Sequence, residues 1–136
     1  MSQSRTVHMI EGVIIAGLLL LFAPVAYDGI RSASQKRSLQ NRSDYPEIAA
    51  ACASLARSVT NDSASIPLTD PRVPAVLRSL SPRYIGASTD FMTLEFHGGL
   101  KHYGYRLRQS ATNRNEWTLF YFAERSEKPL TTITND

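Results

Sequence analysis

FMTLEFHGGLKHYGYRLRQ, residues 91 to 109, alternates apolar and polar side chains on either side of a Gly-Gly pair. Met92, Leu94 and Phe96 share one parity, and Thr93, Glu95 and His97 share the other. Beyond the glycines, Tyr103, Tyr105 and Leu107 oppose His102, Gly104, Arg106 and Arg108. A period of two marks half-buried strands, and glycines between two such runs supply the positive φ of a tight turn. The stretch therefore predicts an antiparallel hairpin with one apolar and one polar face. With Gly98 to Lys101 as its loop, His97 is expected to pair with His102, both imidazoles on the polar face beside Glu95.

The same period extends outward. RYIGAS (83–88) and EWTLFYFAE (116–124) add a strand on each side, the latter after a TNRN turn at 112–115. The last of these strands is apolar on both faces. Trp117, Leu119 and Tyr121 share one side and Phe120 and Phe122 the other, so cover is expected on both, a helix supplying one. EKPLTTITND, at the C-terminus, reads as a short edge strand or a fraying tail.

Upstream the period changes to that of a helix. SDYPEIAAACASLARSV (43–59) opens with Ser43 or Asp44 as N-cap, Pro46 in the first turn and Glu47 beside it. Ile48, Cys52, Leu55 and Val59 form its apolar stripe, which turns Cys52 toward the core as a small hydrophobe. PRVPAVLRSL (71–80), capped by Thr69 or Asp70, predicts a second short helix after the polar loop NDSASIPLTDPRVP. Together these elements give an α+β domain over residues 45–134, two helices packed on a four-stranded antiparallel meander.

GVIIAGLLLLFAPVAY, residues 12 to 27, carries no charge. At ~1.5 Å per residue it covers about 24 Å as a helix, and the preceding Met9, Ile10 and Glu11 bring it close to the ~30 Å hydrocarbon core of a bilayer. A domain this small cannot surround so uniformly apolar a cylinder, which argues against a core helix. A cleaved signal peptide is disfavoured by Arg5 as the one strong base before the segment and by Pro24 inside the small-residue exit Ala23 to Ala26. The expected organisation is a tail at 1–8, a transmembrane helix at 9–27, a juxtamembrane linker or helix extension at 28–44, and the folded domain. Arg31, Lys36, Arg37 and Arg42 follow the span and favour a cytoplasmic C-terminal domain.

The totals exclude more than they specify. One cysteine rules out an intramolecular disulfide, and a formal charge of +3 with scattered arginines is no nucleic-acid footprint. Tyr103 and Tyr105 lie opposite Arg106 and Arg108 on their strand, which splits any stacking platform for a single strand. No phosphate-binding loop, dinucleotide fingerprint or G-x-S-x-G elbow occurs. Glu95, His97 and His102 are a candidate ligand set, but no established zinc spacing matches them. A binding face carrying Glu95, His97, His102, Arg106 and Arg108 is the leading expectation, without catalytic residues or a cofactor.

Two stretches carry family resemblances. VHMIEGVIIAGLLLLFAPVAYDGIRSA resembles the N-terminal helix of type IV pilins and pseudopilins, with Glu11 fifth in a chain that began at Val7. Thr6 departs from the glycine that family's leader peptidase takes. The resemblance implies a fibre or secretion subunit, with a long helix leading into an antiparallel sheet. TDPRVPAVLRSLSPRYIGAS followed by LEFHGGLKHYG resembles a group of small bacterial single-pass membrane proteins of uncharacterised function, which share a hairpin of the E-F-H-G-G-x-x-H-Y-G kind. It implies a bacterial origin and brings no activity. The function expected is a membrane-tethered interaction module that meets the bilayer through residues 9–27 and another protein through its domain. A metal-binding protein or hydrolase built on His97 and His102, and a pilin-like subunit, are the alternatives.

Overall fold

The computed structural model describes residues 3–60, 64–97 and 101–135, with side chains from residue 12 onward. The chain divides into two compact units, Met1–Arg37 and Ser38–Asp136. The first is a single helix, α1 (Gln3–Gln40), whose final residues belong to the second unit. Helix therefore replaces the expected tail from Gln3 on, and the polar stretch after the apolar run is helical as far as Gln40. Its apolar window has a mean hydropathy of 2.1 and none of it is buried, so this helix is long and apolar enough to cross a membrane. Leu20, Leu21, Val25 and Ile30 are among the side chains it leaves exposed.

The second unit is α+β, as its periodicities predict, but its antiparallel sheet has six strands rather than four. In chain order these are β1 (Ala64–Ser65), β2 (Tyr84–Ala87), β3 (Phe91–His97), β4 (Tyr103–Gln109), β5 (Glu116–Ala123) and β6 (Ser126–Thr134). They lie in the sheet in that same order, each paired to the next. The two additional strands are the edges. β1 arises in a stretch expected to be loop, where Ala64 pairs with Ala87 and Ser65 with Gly86. β6 settles the C-terminal segment as a nine-residue strand. Its β-branched residues suit a strand, and Leu130 and Ile133 pack on the core. Pro129 is tolerated because it lies on the edge strand, opposite Phe120 at a register shift.

One face of this sheet packs on α2 (Tyr45–Arg57), which crosses β3 to β6 and is joined by α3 (Ala75–Leu80). Ile48, Cys52 and Leu55 from α2 and Leu77 from α3 meet Met92, Leu94, Tyr105, Leu107, Trp117 and Leu119 in one buried cluster. The α2 stripe is thus the one that its spacing predicts. Its cap is different: Asp44 occupies the N-cap position, but its carboxylate receives Arg42 Nε and Nη2 at 2.7 and 2.6 Å instead of a helix amide. That pair holds the Asp44 carboxyl below its usual range. α3 is shorter than expected, because Val73 precedes Pro74 and the residue before a proline is kept out of the helical region. Residues 70–73 instead form a turn in which the Asp70 carboxylate binds the Arg72 amide at 2.9 Å and its guanidinium at 2.7 Å.

The entry of the chain into this domain is fixed by two tyrosines. Leu39 is buried, and its carbonyl accepts a hydrogen bond from Tyr105 Oη at 2.6 Å and from Tyr45 Oη at 3.0 Å. Burial pushes the Tyr105 hydroxyl well above the ordinary phenol range, so it stays a donor.

Gly104 is where the central strands approach most closely, since a Cβ there would stand 1.8 Å from the Leu94 carbonyl oxygen. Gly104→Ala should therefore destabilise the domain by more than roughly 2 kcal/mol in urea unfolding of the detergent-solubilised chain. At Gly86 a Cβ would meet side chains rather than backbone, Tyr84 at 2.9 Å and Thr93 Cγ2 at 3.2 Å, and Gly86→Ala should cost visibly less. A Gly104→Ala loss below about 0.5 kcal/mol, the range of an ordinary surface change, would show that β3 and β4 part freely.

The Arg72 guanidinium and the Arg72 amide hold the Asp70 carboxyl down at about 2. A carboxyl whose folded value lies below its unfolded value of about 3.9 stabilises the fold above that pH and loses this as the pH falls toward 2. Carboxyl-carbon NMR should show Asp70 titrating near 2 in the folded protein and moving upward in Arg72→Ala. An unmoved titration would mean that the ion pair does not persist in solution.

Candidate functional site

Alternation along β3, β4 and β5 delivers a second set of side chains to the sheet face opposite α2. Register places Phe91 beside Arg108, Thr93 beside Arg106 and Glu95 beside Gly104. The next strand continues these rows, with Phe122 beside Gly104, Phe120 beside Arg106 and Thr118 beside Arg108. On β6, Glu127 stands beside Phe122. The expected double-sided character of β5 is therefore real, but no helix covers its second side among the described residues. Arginine does so instead. The Arg106 guanidinium lies 4.7 Å from the centre of the Phe122 ring and 5.7 Å from that of Phe91, while Arg108 lies 5.4 Å from Phe120. Phe122 is left only 5% exposed. Each such contact contributes about 0.5–1 kcal/mol at a surface, beyond the apolar area that the arginine stems cover.

Both guanidiniums converge on one acceptor. Arg106 Nη1 and Arg108 Nη2 donate to the same oxygen, Oε1 of Glu127, the latter at 3.0 Å. A single carboxylate thus neutralises one of two positive charges. Arg106 Nε is buried and has no hydrogen-bond partner among the described residues. A buried donor left in that state costs roughly 1–3 kcal/mol.

At the other end of the hollow, Glu95 Oε1 and His102 Nδ1 are 2.5 Å apart. That contact uses one imidazole nitrogen, and the imidazole as a whole remains half exposed. Phe91, Thr93, Glu95, His102, Arg106, Phe122, Glu124 and Arg125 enclose an open hollow of about 570 Å³, a size in the range of small-ligand sites. A second hollow of about 550 Å³ lies among the turns at the end of the sheet, lined by Asp90, Gln109, Ser110 and Arg114.

Three of the five expected site residues, Glu95, His102 and Arg106, meet in the first hollow, and Arg108 flanks it through their common partner Glu127. His97 does not join them. A bulge between Glu95 and His97 shifts the register by one, so His97 pairs with Tyr103 rather than with His102. Its ring lies 6.0 Å from that of Tyr103, tilted by 32°. The expected loop glycines Gly98 and Gly99, with Leu100, lie outside the described residues. The described residues contain no group of three or more His, Cys, Asp or Glu side chains placed to hold a metal.

Phe91, Phe120, Phe122 and Glu127 belong to this face as well. The phenylalanines could have been assigned by parity, being in step with Thr93 or Thr118 along their strands. Glu127 could not, because it lies in a segment whose strand character depends on pairing with β5.

No protein-family model, curated protein or solved structure matches this chain.

Cys52, the one thiol, lies in the α2 face of the core and is 1% exposed. Burial pushes its pKa far above the ordinary thiol range, which removes the thiolate that reactive cysteines use. Native protein should therefore resist iodoacetamide and become labelled at the rate of unfolding. Labelling as fast as that of a free thiol would place Cys52 outside the core.

Proposed function

We propose that the protein is a membrane-tethered binding module of the cell membrane, crossing it once through residues 9–27 and offering the helix-free sheet face to another protein. The observation that carries this reading is that face itself, where Phe91, Phe120 and Phe122 are roofed by arginine side chains around a 570 Å³ hollow rather than by a layer of structure. Arginine on aromatic rings beside a carboxylate is the kind of surface that interfaces favour, apolar in area yet tolerant of water when alone. The apolar exposed helix α1 supports the tether. The excess of Arg31, Lys36, Arg37 and Arg42 over Arg5 supports a cytoplasmic domain. The hydrolase or metal reading would rest on the Glu95–His102 pair alone.

Two measurements test the proposal together. A C-terminal reporter active on one side of the membrane should report a cytoplasmic domain. A photocrosslinking residue at Thr93, on the open face, should give a discrete adduct in cells, whereas one at exposed Ser54 on α2 should not. Equal adducts from both positions, or none from Thr93, would remove this face as the contact surface. An external domain with residues 1 to 6 removed would replace the cytoplasmic reading by the pilin-like one.

A further inference from the structure

Building on the proposed binding face, we infer that its hollow takes a carboxylate from an acidic, apolar-flanked peptide segment of the partner, and that Arg106 is the residue that receives it. Four features of the hollow lead there.

The first is an unspent donor. Arg106 gives Nη1 to Glu127, while its Nε is buried without a partner among the described residues. Nε and Nη2 form the side of a guanidinium that binds a carboxylate through two parallel hydrogen bonds, so this edge is matched to that group by geometry as well as charge.

The second is that Arg106 is replaceable where it stands. Glu127 Oε1 also accepts from Arg108 Nη2 at 3.0 Å, so the carboxylate keeps a partner when Arg106 turns away. The ion pair given up is a partly exposed one, with side-chain exposures of 29% and 27%. Such pairs contribute little, whereas satisfying a buried donor recovers more. A ligand carboxylate thus leaves no charge stranded, and the exchange keeps its gain when the guanidinium stays over the Phe91 and Phe122 rings that it covers.

The third feature is the charge balance, which selects among anions. Arg106 and Arg125 line the hollow with Glu95 and Glu124, and His102 is engaged by Glu95. With Arg108 and Glu127 beside them, three guanidiniums meet three carboxylates, so the face carries no net charge and a single carboxylate meets less repulsion there than a dianion does. The glutamates disfavour a phosphate dianion or a run of nucleic-acid phosphates, which would meet them at close range. The fourth feature is the wall. Half-buried Phe91 flanks Arg106 and offers a ring to an apolar neighbour of the ligand carboxylate, while Phe122 lies covered beneath the guanidinium.

The test uses the full chain in detergent micelles, labelled with nitrogen-15, and follows the Nε–H resonance of Arg106. The probe is a blocked pentapeptide with one glutamate between two leucines, compared with its glutamine analogue and with inorganic phosphate. The expected result is a saturable shift of the Arg106 signal with the glutamate peptide, at least fivefold weaker binding of the glutamine analogue, and no saturable response to phosphate. Glu127→Gln, which releases Arg106, should tighten the glutamate peptide severalfold. Arg106→Lys, which keeps the charge and loses the fork, should abolish the preference.

Equal binding of both peptides would overturn the carboxylate assignment while leaving the face as an apolar contact surface. Saturable binding of phosphate in preference to the glutamate peptide would overturn the choice of ligand class. No response of Arg106 to either peptide would overturn the inference outright, and the crosslinking at Thr93 reads the binding face independently. Arg114→Ala, in the other hollow, is the control and should bind as the unmodified chain does.

Discussion

β5 is apolar on both faces, and among the described residues helices lie over only one of them. From that mismatch much of the structure follows. Trp117, Leu119 and Tyr121 bury against the α2 side, which leaves Phe120 and Phe122 to be covered by whatever the neighbouring strands can reach with. β4 places Arg106 and Arg108 beside them, β3 contributes Phe91, and β6 brings the carboxylate that holds both arginines in place. Long stems shield the rings while the charged heads stay near water, a solution open to arginine and closed to any purely apolar side chain. The consequence is a face that is stable alone but incompletely satisfied, with one carboxylate serving two guanidiniums and one donor unspent.

The opposite side of the sheet is closed by different means. The Leu39 carbonyl, at the last turn of α1, is held by hydroxyls from the start of α2 and from β4, the latter 66 positions along the chain. Leu39 is buried, so each of these bonds offsets part of the cost of taking its carbonyl out of water. The Tyr45, Phe96 and Tyr121 rings pack edge-on around Tyr105, which fixes the hydroxyl's direction. The residue that organises this junction sits between Gly104 and Arg106, so one strand carries core, close approach and open face within three positions.

Much of this was legible beforehand for an identifiable reason. Period two along 91–97 and 102–109 sorts Met92, Leu94, Tyr105 and Leu107 from Glu95, Arg106 and Arg108, and the sorting holds because one side of the sheet is buried and the other is not. The α2 stripe was equally plain, since Ile48, Cys52 and Leu55 recur at helical spacing. Local signals fall short at positions whose outcome depends on a partner. His97 leaves the polar row because of a bulge at Phe96, and a bulge is an agreement between two strands. Asp44 and Asp70 were candidate caps by residue type, yet Arg42 and Arg72 compete for them more strongly than a helix amide does.

The sequence by itself determined the apolar helix, the two folded layers and which side chains belong to each face, since these depend on spacing and hydrophobicity carried within short segments. Tertiary structure alone decided what those faces do to each other. It set the register that puts two arginines on one glutamate, the edge strand that supplies that glutamate, and the shift that removes His97 from His102. Strand pairing and charge sharing join residues about twenty positions apart, as from Arg106 to Glu127, and their energies exist only once the backbone has brought the groups within a few ångströms.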